Sequence, residues 1–219
     1  MQKIRIPRRQ QAGFTLIEIA IVLVIIGLLL GGVLQGQELI NNSRTRNAIN
    51  DMNGISAAFN GYIDRYRRVP GDDGPVATLT ARGADWVGMV AGNNNGVLNV
   101  TAAQTFTGAA ENDNFFRHLR ASSFITGNAT LGGVAALPRN AFGGLIGVTS
   151  AAAGMPRNAV CLSQVPGTAA AQMDVQLDDG LPGTGRVRGF TAAAGANTAP
   201  TAAAAAYNED NVFTVCSEL

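Results

Sequence analysis

One acidic residue, Glu18, lies inside a stretch that is otherwise apolar for about 21 residues, from Phe14 to Leu34. At 1.5 Å of rise per helical residue, this stretch spans about 30 Å, the thickness of the hydrocarbon core of a membrane. A carboxylate at that depth costs a few kcal/mol of insertion free energy. Because of this cost, we expect Glu18 to have a function. Thr15 is the only other hydroxyl-bearing or charged residue in the stretch.

The residues before this stretch form a short basic leader that ends in Gly13. The leader contains no acid and has four cations: Lys3, Arg5, Arg8 and Arg9. A secretory signal peptide fits poorly, because its small cleavage-site residue follows the apolar region, whereas here the small residue precedes it. A single-pass anchor with cytoplasmic positive charge accounts for the apolar run. It leaves Glu18 and the Gly13–Phe14 junction unexplained.

The segment Gly13-Phe14-Thr15-Leu16-Ile17-Glu18 resembles the processing site of type IV prepilins and of the related pseudopilins of type II secretion. The resemblance implies that a prepilin peptidase cleaves after Gly13 and methylates the new amino terminus of Phe14. It also implies that Glu18, the fifth residue of the mature chain, neutralises the terminal charge of a neighbouring subunit during assembly. The implied partners are that peptidase, an inner-membrane assembly platform, further copies of the chain and other pilin-like subunits.

Beyond the apolar stretch, the sequence continues as an amphipathic helix. Apolar residues recur at steps of three and four, which places them on one face: Ala48, Met52, Ile55, Phe59, Tyr62, Ile63 and Tyr66. The run Val69-Pro70-Gly71 predicts the end of a helix that begins at Phe14 and extends to about Arg68. We therefore divide the chain into a leader (1–13), a transmembrane or filament-core helix (14–36), its amphipathic continuation (37–69) and a globular domain (70–219).

The globular part favours an α+β fold. Four short stretches bounded by Gly, Pro or Asn are candidate strands: Leu145–Thr149, Ala159–Gln164, Gly185–Thr191 and Asn211–Cys216. The Ala/Thr-rich run Ala192–Ala206 predicts an exposed loop, since a glycine and a proline interrupt it. The expected fold is pilin-like, with a long amino-terminal helix packed on a small antiparallel β-sheet in the carboxy-terminal domain.

The chain has two cysteines, Cys161 and Cys216. Both follow an anchor whose cationic flank stays inside, so they face an oxidising compartment in which a disulfide forms. Two unpaired buried thiols are the alternative. A disulfide near the carboxyl end also resembles the carboxy-terminal region of many pilins.

No catalytic motif is evident beyond Pro70, and the sequence predicts neither an enzyme nor a cofactor. The single histidine, His118, lies in an amphipathic helical patch, where a packed or surface role is expected. Major pseudopilins bind calcium in a carboxy-terminal loop, so acids in glycine-containing turns are weak candidates for a metal site: Asp72, Asp73, Asp178 and Asp179. Asp residues are also common in turns for local backbone reasons, and no metal site is predicted.

Removal of the four leader cations leaves 12 basic and 15 acidic side chains, a net charge near −3. This balance argues against nucleic-acid binding. The sequence thus predicts a structural subunit of a type IV pilus or a pilus-like filament. Its precursor is expected in the bacterial inner membrane, and its mature form in a periplasmic or cell-surface filament. The alternatives are a type II secretion pseudopilin and a minor tip subunit that acts as an anchored adhesin or binding module.

Overall fold

The computed structural model describes residues 14–109 and 111–219. The chain divides into two compact units, Met1–Asn41 and Asn42–Leu219. Gly13 and the rest of the predicted leader lie outside the described residues, so the first unit is described from Phe14 onward.

The longest element is helix α1, Leu16–Tyr66. It begins two residues later than the sequence predicts, because Phe14 and Thr15 precede its first turn. It ends at Tyr66 because Arg67 adopts a left-handed backbone with φ of 55°, while its N–H still donates to the carbonyl of Ile63 at 2.7 Å. The helix therefore stops before Pro70 is reached, through a left-handed residue of the kind that often follows helices.

The part of α1 inside the second unit buries one face. The predicted stripe is confirmed: five of its members are buried, and Ile63 and Tyr66 pack against the core in a partly buried state. The buried face is wider than the stripe and also includes Thr45, Ile49 and Ala58. The opposite side of this segment carries mainly Asn, Gly and Arg and remains exposed.

The four predicted strands are present, with ends shifted by one or two residues. They are β1 (Ile146–Thr149), β2 (Ala159–Pro166), β3 (Val187–Ala192) and β4 (Val212–Glu218). They form one antiparallel sheet in the order β1-β2-β4-β3. The carboxy-terminal strand thus lies in the interior of the sheet, and the core lies between the sheet and the helices.

In the described part of the second unit there are also three short 3-10 helices and three shorter α-helices: α2 (Val76–Thr80), α3 (Glu111–Ala121) and α4 (Gly167–Leu177). Helix α3 is almost wholly buried and places Phe115, Phe116 and Leu119 in the core. The Phe115 ring stacks on Phe59 of α1 with ring centroids 6.1 Å apart. Helix α3 thus joins the carboxy-terminal half of α1 to the rest of the core.

The two cysteines form the predicted disulfide between neighbouring strands. Cys161 of β2 and Cys216 of β4 are register partners, and both are fully buried. The alternative of two free thiols is wrong. The bond closes a loop of 55 residues, which stabilises the fold by about 4 kcal/mol in the chain-entropy account.

Residues 193–206 form a loop, as predicted, although Ala192 is the last residue of β3 and the loop is not simply exposed. The side-chain oxygen of Asn197 accepts a hydrogen bond from the Ser163 hydroxyl at 2.6 Å. The carbonyl of Thr198 accepts another from the Thr214 hydroxyl at 2.7 Å. The loop therefore lies against the sheet, held by polar groups that no local sequence pattern marks.

Candidate functional site

Glu18 caps the first turn of α1. One of its carboxylate oxygens, Oε2, accepts hydrogen bonds from the backbone N–H and the hydroxyl of Thr15, both at 2.8 Å. The Thr15 hydroxyl in turn accepts from the backbone N–H of Glu18 at 3.3 Å. This reciprocal arrangement is a capping box, which satisfies free donors at the start of a helix. Among the described residues no donor binds the other oxygen, Oε1.

Every side chain from Phe14 to Gln35 is exposed on the described chain, including a continuous series of Leu, Ile and Val residues. An 18-residue window of α1 has a mean hydropathy of 2.8, so α1 is long and apolar enough to cross a membrane. Gly27, Gly31 and Gly32 add bare patches to this surface, since a Cβ at any of them would meet nothing within 4 Å. Such small residues let helix backbones approach closely.

Phe14 is the first described residue, and 85% of its surface is exposed. It lies two residues before α1, directly beside the capping box. Of the predicted site residues, the structure thus brings Phe14 and Glu18 to the same end of the helix. Gly13, the other half of the predicted cleavage site, is not among the described residues.

A buried ion pair lies where the chain leaves α1. The carboxylate of Asp73, fully buried, accepts hydrogen bonds from the Tyr62 hydroxyl at 2.6 Å and from an Arg82 guanidinium nitrogen at 2.7 Å. The guanidinium also lies over the rings of Tyr66 and Trp86, at 4.2 and 4.7 Å from the centroids. Burial and the bond to Asp73 raise the pKa of Tyr62, so it remains a neutral donor. The cluster fixes residues 73–86 to the end of α1.

His118 is a structural residue of the core. It is fully buried, its Nδ1 accepts from the backbone N–H of Gly71 at 3.1 Å, and its Nε2 lies 2.9 Å from the carbonyl of Val90. These two partners require the neutral ring with the proton on Nε2. Burial lowers the pKa of His118 to about 4. The expectation of a packed histidine is thus confirmed.

Asp72 binds the backbone of the asparagine-rich loop that follows it, whereas Asp73 binds Tyr62 and Arg82. Its two oxygens accept from the backbone N–H groups of Asn95 and Gly96, at 3.1 and 2.6 Å. Glu111 of α3 accepts from the N–H of Asn99 at 2.7 Å in the same loop. Both acids are buried and serve as anchors for loop amides.

A second acidic group follows α4. Asp174, Asp178 and Asp179 have carboxylate oxygens within 4.8 Å of one another. Each already accepts a hydrogen bond from its own chain: Asp174 from the Tyr207 hydroxyl at 2.6 Å, Asp178 from the N–H of Val187, and Asp179 from the Thr184 hydroxyl. Burial raises the pKa of Asp174. These hydrogen bonds explain why the three acids lie together in the turn after α4. Asp72 and Asp73 are not part of this group.

The fold has a pilin-like layout. The α+β layout, with a long amino-terminal helix packed on a small antiparallel sheet, is confirmed. Residues 8–34 match the family model of the prokaryotic N-terminal methylation motif, which is the signature of type IV pilins and pseudopilins. No curated protein and no solved structure matches the chain.

Sequence reasoning missed the ion pair that closes the core at the end of α1. A signal was present, since Arg82 is the only cation between Arg68 and Arg117 and follows two adjacent acids. Glu111 and Asp174 were also missed, because acids on short helices are usually exposed. None of these residues lies on the apolar segment, so they support the scaffold rather than the candidate assembly surface.

Proposed function

We propose that this chain is a structural subunit of a type IV pilus or a related pseudopilus and that it assembles through its amino-terminal helix. The precursor is held in the bacterial inner membrane, a prepilin peptidase cleaves between Gly13 and Phe14, and the new amino terminus is methylated. Mature copies then leave the membrane with the help of an inner-membrane assembly platform. The methylation motif at residues 8–34 supports this proposal at the level of a pilin-like or pseudopilin protein.

The observation that carries the proposal is the apolar surface of α1 between Phe14 and Leu34, which the described chain leaves wholly exposed. Such a surface needs either lipid or other helices around it. A lipid anchor alone requires no acid in the apolar segment, and yet Glu18 is there. A bundle of identical helices uses both features, because it buries the apolar surface and supplies a cation for Glu18.

That cation is the amino terminus of Phe14 in a neighbouring copy. Two opposite charges in an apolar bundle each lose most of their desolvation cost only when they pair. The capping box leaves Oε1 of Glu18 without a donor among the described residues, so the carboxylate can keep its own helix capped and still accept from a neighbour. The pair would also fix the axial register between adjacent copies.

Two variants at Glu18 test this role. Glu18→Gln keeps a side chain that completes a capping box but removes the charge, whereas Glu18→Ala removes both. We expect both variants to be cleaved normally and to lose filaments, measured as sheared surface material per cell. Glu38→Ala is the matched control, since Glu38 is an exposed acid farther along α1. A wild-type filament yield from Glu18→Gln would refute the charge-pairing role.

Processing is tested separately by Gly13→Val. We expect this variant to accumulate as a precursor of unchanged electrophoretic mobility, because the bulky side chain blocks the peptidase. Imaging of sheared material with an antibody to this chain then separates the two kinds of filament. Long labelled fibres indicate a surface pilus, while a secretion defect without fibres indicates a pseudopilus.

A further inference from the structure

Asp51 is a half-buried acid on α1 without an ionic partner among residues 14–109 and 111–219. It lies on the rim of a groove of about 340 Å³ that is bordered by α1, by the end of α3 with the loop after it, and by residues before and within β1. Burial raises the pKa of Asp51. The fold therefore keeps a partly desolvated carboxylate at an open groove with nothing of opposite charge bonded to it.

Two guanidinium groups line the same groove, but each is held elsewhere. A terminal nitrogen of Arg120 donates to the carbonyl of Ala136 at 2.6 Å, and one of Arg139 donates to the carbonyl of Gly143 at 2.9 Å. Neither lies within the 4 Å that defines an ion pair with Asp51. Two arginines therefore line the groove, and neither of them forms an ion pair with Asp51.

The floor of the groove has no side chain at Gly54, so another molecule can approach helix α1 closely there. Helix α1 has two glycines in this region, and each costs up to about 1 kcal/mol of helix stability. Gly61 is explained within the chain, because a Cβ there would lie 2.8 Å from the ring of Phe124. Gly54, which lines the groove, has nothing within 4 Å of a Cβ position. The described chain gives no packing reason for Gly54, although a neighbouring molecule would.

The same helix carries a cation whose charge is opposite to that of Asp51. Arg46 is exposed and has no ion pair among the described residues. Arg46 precedes Asp51 by five residues, about 7.5 Å of helix rise. An axial offset of about 7.5 Å between parallel copies therefore brings Arg46 of one copy level with Asp51 of the other, within the reach of flexible side chains.

We propose that the groove beside Asp51 receives the α1 segment around Arg46 of a second copy of this chain, with the Arg46 guanidinium paired to Asp51. This inference rests on the proposed function, since it assigns a second contact to the same assembly. The contact lies within the second unit. It would set the register of the globular parts as Glu18 sets that of the apolar helices.

A charge-exchange cycle tests the pair. Arg46→Glu and Asp51→Lys each place like charges in the contact, so each should lower filament yield by about tenfold or more. The double variant restores opposite charges and should return the yield to within about threefold of wild type. Asp64→Lys is the matched control, because the contact of Asp64 with Arg67 is within one chain and highly exposed. Equal yields for the single and double variants would overturn the pair.

Cross-linking provides a second readout that does not depend on charge. The chain's own cysteines are already bonded and buried, so Arg46→Cys with Asp51→Cys supplies the only free thiols. Oxidised filaments should give a ladder of multimers on a non-reducing gel, while Arg46→Cys with Asn60→Cys should give none. Filaments without a ladder, or with equal ladders, contradict the contact but leave the proposed function standing. Absence of filaments from the wild-type chain contradicts the proposed function instead.

Discussion

Replacing Arg82 with methionine is expected to destabilise the second unit strongly. The substitution removes the hydrogen bond of 2.7 Å to Asp73 and the contact of 3.1 Å with the Tyr62 hydroxyl. The Asp73 carboxylate then remains fully buried with only Tyr62 as donor, and its Oδ1 has no partner even before the change. Methionine still fills the space over the rings of Tyr66 and Trp86, so the loss is mainly electrostatic.

The magnitude follows from the burial of the pair. Breaking a buried ion pair by removing one partner costs about 3–5 kcal/mol. The Arg82 side chain is 15% exposed, so water reaches the vacated position and the lower figure applies, about 3 kcal/mol. For a unit of about 180 residues, that loss lowers the melting temperature by about 6–12 °C.

Trp86 provides the assay. It is the only tryptophan of the chain, it is buried, and its ring centroid lies 4.7 Å from the Arg82 guanidinium carbon. Urea unfolding of the detergent-solubilised chain, followed by Trp86 fluorescence, reports the free energy of unfolding. The matched control is Arg67→Met, whose partner Asp64 is 4.0 Å away and highly exposed. The control should change the free energy of unfolding by less than about 0.5 kcal/mol.

A second substitution isolates the buried charge. In the Arg82→Met background, Asp73→Asn removes the unpaired carboxylate and should recover part of the lost stability. A loss from Arg82→Met no larger than that of the control would refute the reasoning. No recovery in the double variant would show that the loss comes from packing instead.

Three further predictions concern stability, each measured by urea unfolding. Between pH 7 and pH 5 the wild-type chain should lose about 2 kcal/mol, because the pKa of His118 is about 4 when folded and 6.5 when unfolded, so only the unfolded state takes up the proton. His118→Gln should flatten that pH dependence. Joint replacement of Cys161 and Cys216 by alanine should cost about 4 kcal/mol, and an unchanged midpoint would contradict the cross-link's role. Gly54→Ala should add up to about 1 kcal/mol, because its Cβ meets nothing, and a loss would show hidden packing.

The parts of the fold that the sequence predicts are those with a strong local pattern. Helix α1 follows from an apolar run and a periodic stripe, and the strands follow from short apolar stretches between glycines and prolines. The disulfide follows from having two cysteines in an oxidising compartment. The boundaries were less accurate, since the left-handed Arg67 ends α1 earlier than Pro70 indicates.

The parts that the sequence does not predict depend on contacts between distant segments. Asp73 meets Arg82 only because the chain turns back on the end of α1, and His118 meets Gly71 across 47 residues. The order β1-β2-β4-β3 places the last strand between two earlier ones, which no local pattern reveals. The groove beside Asp51 likewise requires α3 and β1 to be brought to the side of α1.

Cleavage between Gly13 and Phe14 and assembly of the mature chain can be tested through the mass of its amino-terminal peptide. The peptide is taken from sheared filaments or, for a pseudopilus, from the purified membrane-extracted chain. We predict that it begins at Phe14 and carries one methyl group on its amine. A mature chain that still begins at Met1, or at any residue other than Phe14, would contradict the account.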